Sequence, residues 1–289
     1  MLKPTLLVLT AVVAALGITG CGPKAPDIPF MEYAEDYGSK PDFARLEHKH
    51  PLTPAQRALI TPENLAVLDQ EQVDQIYARL TAGPIPDGAF DGGLFFPKGE
   101  SGDRRLAEIV GGLKGFVVNL KGRKLEVVGK TLWKGKVFSR DERVLRNRIE
   151  DLALLGPLID GPPSSLPKIT VNGRDAWLLF PAKLYCGQSL LDSRRESIVI
   201  DYAFSDEIEG YRENPDFLAG RRGLRIRDEI RMVRPGLYLG RAYADRVFLL
   251  NFVLYNEEIA KRDGEAFQNS GTAAEDCWPG TQRTQMAAG

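Results

Sequence analysis

The sequence predicts an α+β protein, mainly β in its C-terminal two-thirds, built as an antiparallel barrel or strongly curved sheet with an N-terminal helical extension. Three observations carry this. After Trp133 the apolar positions recur with a period near two through nine segments. Short turn signals such as Asn172-Gly173 and Arg234-Pro235-Gly236 separate several of them. Before residue 83, capping residues and a 3.6-residue period mark helices instead. The 289 residues are 43% hydrophobic and 27% charged, too apolar for a chain disordered throughout. A net charge of −1 leaves no electrostatic footprint for nucleic acid.

The N-terminus has the parts of a secretory signal. Lys3 supplies charge, residues 6–16 form an apolar run, and small residues lead to Cys21. A helix over that run reaches about 16 Å, too short to span a bilayer, and no later run is long enough either. Ile18-Thr19-Gly20-Cys21 resembles the lipobox of bacterial lipoproteins. The resemblance implies removal of residues 1–20, acylation of Cys21 and stable membrane anchoring by several acyl chains. Gly22, where an aspartate would retain such proteins at the inner membrane, implies sorting to the outer membrane, with the domain facing the periplasm.

Residues 21–52 carry Pro23, Pro26, Pro29, Pro41 and Pro51 and read as an extended tether. The only histidines, His48 and His50, lie at its end. Two ligands fall short of the four a structural zinc takes, so no metal is expected there. Residues 53–102 read as a helical extension followed by a loop. Thr53-Pro54-Ala55-Gln56 and Thr61-Pro62-Glu63 are helix starts, and Asp69 precedes apolar positions Val73, Ile76, Tyr77 and Leu80. The glycine- and proline-rich stretch 83–102 reads as turns, with Phe95 and Phe96 tucked into a core or a ligand mouth. Asp87 and Asp91 lack the spacing of an EF-hand.

Residues 103–260 read as one helix plus the β domain. Leu106, Ile109, Val110, Leu113, Phe116 and Val117 form the helical stripe, and 124–133 fits helix or strand. Strands are expected at 136–139, 143–149, 168–171, 175–180, 183–190, 196–203, 224–233, 237–244 and 246–255. Residues 261–289 read as a tail. Leu132 to Phe138 (LWKGKVF) with the later GLRIRDEIRMV resembles the lipocalin-like barrel of GXWXG-type domains. Trp133, Gly135, Lys136 and Phe138 match its W-x-G-K-x-F element, and Asp228, Arg231 and Val233 its D-x-x-R-x-V strand. The namesake motif is not recognisable upstream. The resemblance implies a barrel, which at about eight strands can enclose one small ligand, and brings no established chemistry.

With Cys21 consumed by the lipobox, Cys186 and Cys277 remain as an even pair in an oxidising compartment, which predicts a disulfide pinning the tail to the body.

The folded part contains no histidine, and the sequence has no G-x-S-x-G elbow, P-loop, C-x-x-C or dinucleotide fingerprint. No cofactor is expected and no catalytic residue stands out. Strand parity places Asp228 as a lone charge in the row Ile226, Ile230, Met232, while Arg225, Arg227, Glu229 and Arg231 share the other, solvated face. Arg241 also sits among apolar residues across the hairpin, so an Asp228–Arg241 ion pair is expected. Asn251 is a lone amide needing Asp228, Arg231 or a ligand as partner. Asp228, Arg231, Arg241, Asn251 and Tyr202 are therefore the candidate ligand-binding residues, lining a cavity or forming a satisfied register-fixing network. The expected function is a lipid-anchored envelope lipoprotein binding a small apolar or amphiphilic ligand in its barrel. The alternatives are an assembly lipoprotein holding an envelope protein, or a periplasmic enzyme working without histidine.

Overall fold

A computed structural model of the protein describes residues 22–32, 42–99, 133–153 and 155–280. Cys21, the stripe at 106–117 and the ambiguous stretch before Trp133 lie outside the described residues. Eight antiparallel strands close into a barrel with up-and-down order. They are β1 (Gly88–Phe95), β2 (Trp133–Ser139), β3 (Val144–Ile149), β5 (Arg174–Gln188), β6 (Glu196–Asp201), β7 (Ile226–Arg234), β8 (Leu237–Ala244) and β9 (Val247–Tyr255). β1 pairs with both β2 and β9, and β3 with β5, so the barrel has no open edge. β4 (Lys168–Val171) stands outside the ring as a hairpin on the start of β5.

Most strands fall where the apolar alternation places them. β1 does not: its glycines read as turns, yet it is the strand that closes the barrel. Its glycines answer to packing. A Cβ on Gly92 would lie 2.4 Å from the Trp133 ring. The expected strands at 175–180 and 183–190 are one strand, bent where Phe180 takes φ of 51°. Such a conformation is costly for an aromatic residue and needs support from its surroundings. Here the Phe180 N–H donates to Asp216 Oδ1 (2.7 Å) and its carbonyl accepts from Asn147 Nδ2 (2.9 Å).

The barrel interior is filled by Phe90, Phe138, Leu145, Leu184, Ile198, Ile200, Ile230, Met232, Phe252 and Leu254, all buried. A second core lies outside the barrel. Helices α1 (Phe43–Lys49), α2 (Pro54–Ala58), α3 (Pro62–Leu65) and α4 (Gln70–Ala78) cap the outer face of β7, β8 and β9. Ile60, Leu65, Ile76 and Leu80 pack there on Val233, Leu237, Leu239 and Val253. Each fully buried aliphatic side chain contributes about 1.5–3 kcal/mol. The expected helix starts at Thr53, Thr61 and Asp69 are present, the first two closed by capping boxes.

Two expectations change. The described parts of the expected tether, 22–32 and 42–52, are not free: Pro26 and Ile28 are buried, Met31 exchanges two hydrogen bonds with Gln75, and Leu46 of α1 is fully buried. Residues 261–280 are not simply a tail. Asn256 caps α5 (Glu257–Ser270), ended by Gly271 at positive φ. Beyond it a strap crosses one end of the barrel. Glu275 accepts from Gly83 N–H and Asp276 from Ile85 N–H (each 2.8 Å), and Cys277 bonds to Cys186 as expected.

The disulfide spans a sequence separation of 91. Closing so long a loop should stabilise the fold by about 4–5 kcal/mol in the chain-entropy model. The Cys186→Ala/Cys277→Ala variant should therefore unfold at a markedly lower urea concentration, and reductant should shift the parent protein towards it.

Candidate functional site

The interior is not wholly apolar. On one side of β2, Lys136 points inward and its ammonium meets three acceptors: Asn147 Oδ1 at 2.9 Å, Tyr202 Oη at 2.6 Å and Asp228 Oδ2 at 3.0 Å. Asn147, on β3, also accepts from Trp133 Nε1 (2.8 Å) and donates to Tyr202 Oη (2.9 Å). The rings of Trp133, Tyr202 and Phe252 each lie 5.3–5.5 Å from the Lys136 nitrogen, within cation–π range. Strict alternation would point Trp133 and Lys136 to opposite faces. A bulge between Trp133 and Gly135 removes that conflict. Only glycine fits its centre: Gly135 has φ of 133°, and a Cβ there would lie 2.0 Å from the Phe90 carbonyl oxygen.

Burial dominates the electrostatics. It raises the Asp228 carboxyl above its ordinary range, which Lys136 opposes without cancelling. It raises the Tyr202 phenol as well. Burial lowers Lys136, but Tyr202 and Asp228 more than offset this, so the ammonium is held in its charged form. The cluster is thus a fixed positive charge with a phenol and a carboxylate around it, not a neutral amine poised to attack a carbonyl.

The cluster lies towards the barrel end at which β1, β3 and β8 finish and β2, β7 and β9 begin. That end is rimmed by Leu94, Trp133, Phe180, Ile226 and Leu250, all half-buried. The bent residue Phe180 therefore stands on the rim, tied by its carbonyl to Asn147 in the cluster.

The five candidate residues divide between two places. Asp228 and Tyr202 meet inside the barrel, 3.5 Å apart. Arg231, Arg241 and Asn251 lie on the outer face beneath the helical cap. The expected Asp228–Arg241 pair does not exist: Asp228 faces Ala242 across the hairpin and Arg241 faces Glu229, so the two point to opposite sides of the sheet. Arg241 pairs with Asp74 of α4 and donates to Tyr243 Oη at 2.9 Å. Asn251 donates to Gln70 Oε1 at 2.6 Å, and to neither Asp228 nor Arg231. Nor is the charged face solvated throughout: Arg225 is exposed and Arg227 half-buried. Glu229 and Arg231 are 0% exposed. Arg231 donates to Ser197 Oγ (2.9 Å), to the Asp192 carboxylate (3.3 Å) and to the carbonyls of Tyr77, Asp192 and Arg195. Glu229 accepts from Leu190 N–H and from Arg227. These groups fix the cap to the barrel, whereas the Lys136 cluster lies inside it.

Lys136 and Asn147 are the site residues that parity reasoning misses. The bulge hides Lys136, although it belongs to the W-x-G-K-x-F element. Asn147 carries a readable signal: it is a lone amide in the row Leu145, Asn147, Ile149.

Removing one partner of a buried ion pair leaves the other uncompensated, at a cost of about 3–5 kcal/mol. Lys136→Met should therefore destabilise by that order in urea unfolding. The Lys136→Met/Asp228→Leu pair should recover most of the loss. A second outcome concerns acid. Burial raises the Asp192 carboxyl, but Arg194 and Arg231 outweigh this and hold it below the ordinary carboxylate range. Its contribution is then complete above about pH 4 and is lost as pH falls through the lowered value. Asp192→Asn should lose less stability between pH 5 and pH 3 than the parent protein (about one pH unit on each side of an ordinary carboxylate), measured as urea midpoints.

No known family profile matches the sequence, and no curated protein matches it. Among solved structures, a crystal structure of a protein from Thermomonospora curvata shares 19% identity, covering 65% of this chain and 88% of that one, with a TM-score of 0.31. At that score the likeness carries no argument.

Proposed function

We propose that the chain is a lipid-anchored envelope lipoprotein whose barrel binds a small amphiphilic molecule at the end rimmed by Leu94, Trp133, Phe180, Ile226 and Leu250. The observation that carries this is the Lys136–Asp228–Tyr202–Asn147 cluster beneath an apolar, half-buried rim. Few polar groups on apolar walls is the composition of a small-molecule site. A core needing only stability is served as well or better by packed apolar residues, because a buried ion pair seldom repays its desolvation. Lys136 and Asp228 neutralise each other, so the polar end of the ligand is an uncharged hydrogen-bonding group such as a carbonyl or hydroxyl. The apolar part lies against Trp133 and Phe180. Anchoring rests on the lipobox and the cysteine it would acylate, Cys21.

Trp133 reports on binding directly. Titration with a fluorescent long-chain alcohol probe should quench tryptophan emission in a saturable way. The folded Lys136→Met/Asp228→Leu variant should bind the probe at least about tenfold more weakly, the loss of roughly 1.4 kcal/mol. Protein extracted from cells that is always empty by native mass spectrometry, together with no probe uptake, would overturn the reading. Anchoring is checked separately: metabolic labelling with a fatty-acid analogue should mark the parent chain and not Cys21→Ser.

A further inference from the structure

The N-terminal strip constrains how an anchored domain can sit. Pro26 and Ile28 are buried, and Ile28 belongs to the core shared by the helical cap and the outer face of β7–β9. The Met31 N–H donates to Gln75 Oε1 (2.8 Å), and Gln75 Nε2 donates to the Met31 carbonyl (2.6 Å). Arg79, which ends α4, donates to the carbonyls of Pro29 (2.9 Å) and His50 (3.0 Å), and its guanidinium lies 5.7 Å from the Phe30 ring centre. The strip is thus tied to α4 and to the end of α1. Only Gly22 to Ala25 separate it from Cys21. Five residue steps of extended chain span at most about 17 Å. A domain of this length has a radius of gyration of roughly 18 Å. The leash is therefore shorter than the body is wide.

We infer that the α1/α4 face is the membrane-facing surface of this protein, held against a lipid bilayer by an anchor too short to let the domain turn over. The inference rests on the anchoring reading of Cys21 and adds an orientation to it. In the barrel order β1, β2, β3, β5, β6, β7, β8, β9, the capped strand β8 stands opposite β3. The β3 wall and the β4–β5 hairpin, with Asn172 exposed at its tip, consequently face away from the bilayer. The occupant of the α1/α4 face is a lipid surface reached through the acyl chain and not through charge. The exposed cations Lys24, Arg45 and Lys49 are matched there by the exposed Asp27, Glu32 and Asp42.

The anchor can be supplied chemically, which separates the orientation from natural acylation. With Cys186 and Cys277 paired, Cys21 is the one free thiol of residues 21–289. It can be coupled to phosphatidylcholine vesicles carrying a maleimide lipid. A donor fluorophore is placed through an azide-bearing amino acid at position 45 on α1 or at position 172 on the hairpin, with an acceptor in the lipid headgroups. Energy transfer should be at least about twofold stronger from position 45. A Gly/Ser insertion of about twenty residues after Gly22, which adds roughly 25 Å of flexible reach, should bring the two efficiencies together. Equal transfer from both positions without the insertion, or stronger transfer from position 172, would overturn the orientation. Loss of the natural anchor is read elsewhere: a chain from cells without an acyl label ends the anchoring reading, whatever the vesicles show.

Discussion

Strand β7 buries charge on both of its faces. Asp228 points into the barrel, while Glu229 and Arg231 point outward beneath the cap. A buried charge left alone costs several kcal/mol, so each must find its partner at a fixed place. Asp228 finds Lys136 on β2, Arg231 finds Asp192 in the loop before β6, and Glu229 is met by Arg227 and the Leu190 N–H. On the next strand Arg241 finds Asp74 on α4. Barrel register, cap position and loop path are thereby tied to one another. Sliding β7 by one residue would exchange all these charges between the two faces at once.

The same constraint separates structural polarity from a candidate site. Beneath the cap, guanidinium and carboxylate groups are enclosed by α4 and the loop 189–195, with the Tyr77 ring between Arg231 and Arg241 at 4.8 and 5.6 Å. These groups specify one docking of helices on sheet. Inside the barrel the cluster lies below a rim that is only half-buried. Phe180 connects the two, since its strained backbone is held from one side by Asn147 and from the other by Asp216. Strain supported in this way, beside a polar cluster, belongs with a site more readily than with a core.

Much of the barrel was legible because alternation is a local property. The row Ile226-Asp228-Ile230-Met232 predicts an inward face that the structure bears out. What covers the outward face is a long-range matter. Nothing near Arg231 in sequence announces Asp192 or Tyr77, so a buried face read as a wet one. β1 was missed because glycines chosen for close approach, such as Gly92 under Trp133, carry the same letters as turns. The docked strip at 26–31 was hidden for a related reason: its proline-rich composition suits a tether, and its attachment runs through backbone groups to Gln75 and Arg79. α5 was readable in principle, from Asn256 as cap, Glu257 and Glu258 in the first turn, and Gly271 at the end.

The closure of the barrel by its first strand has a kinetic consequence. β1 is completed only by β9, with Phe95 paired to Asn251, and α4 only by strands from β6 onward, since Tyr77 reaches Ser197 over 120 residues and Asp74 reaches Arg241 over 167. A chain made from its N-terminus holds all four cap helices and one barrel edge with nothing to pair against until its last strands exist. Contacts of such sequence separation make folding slow and leave unpaired edges exposed meanwhile. Closure of the barrel and docking of its cap are thus late, long-range events in the folding of this protein.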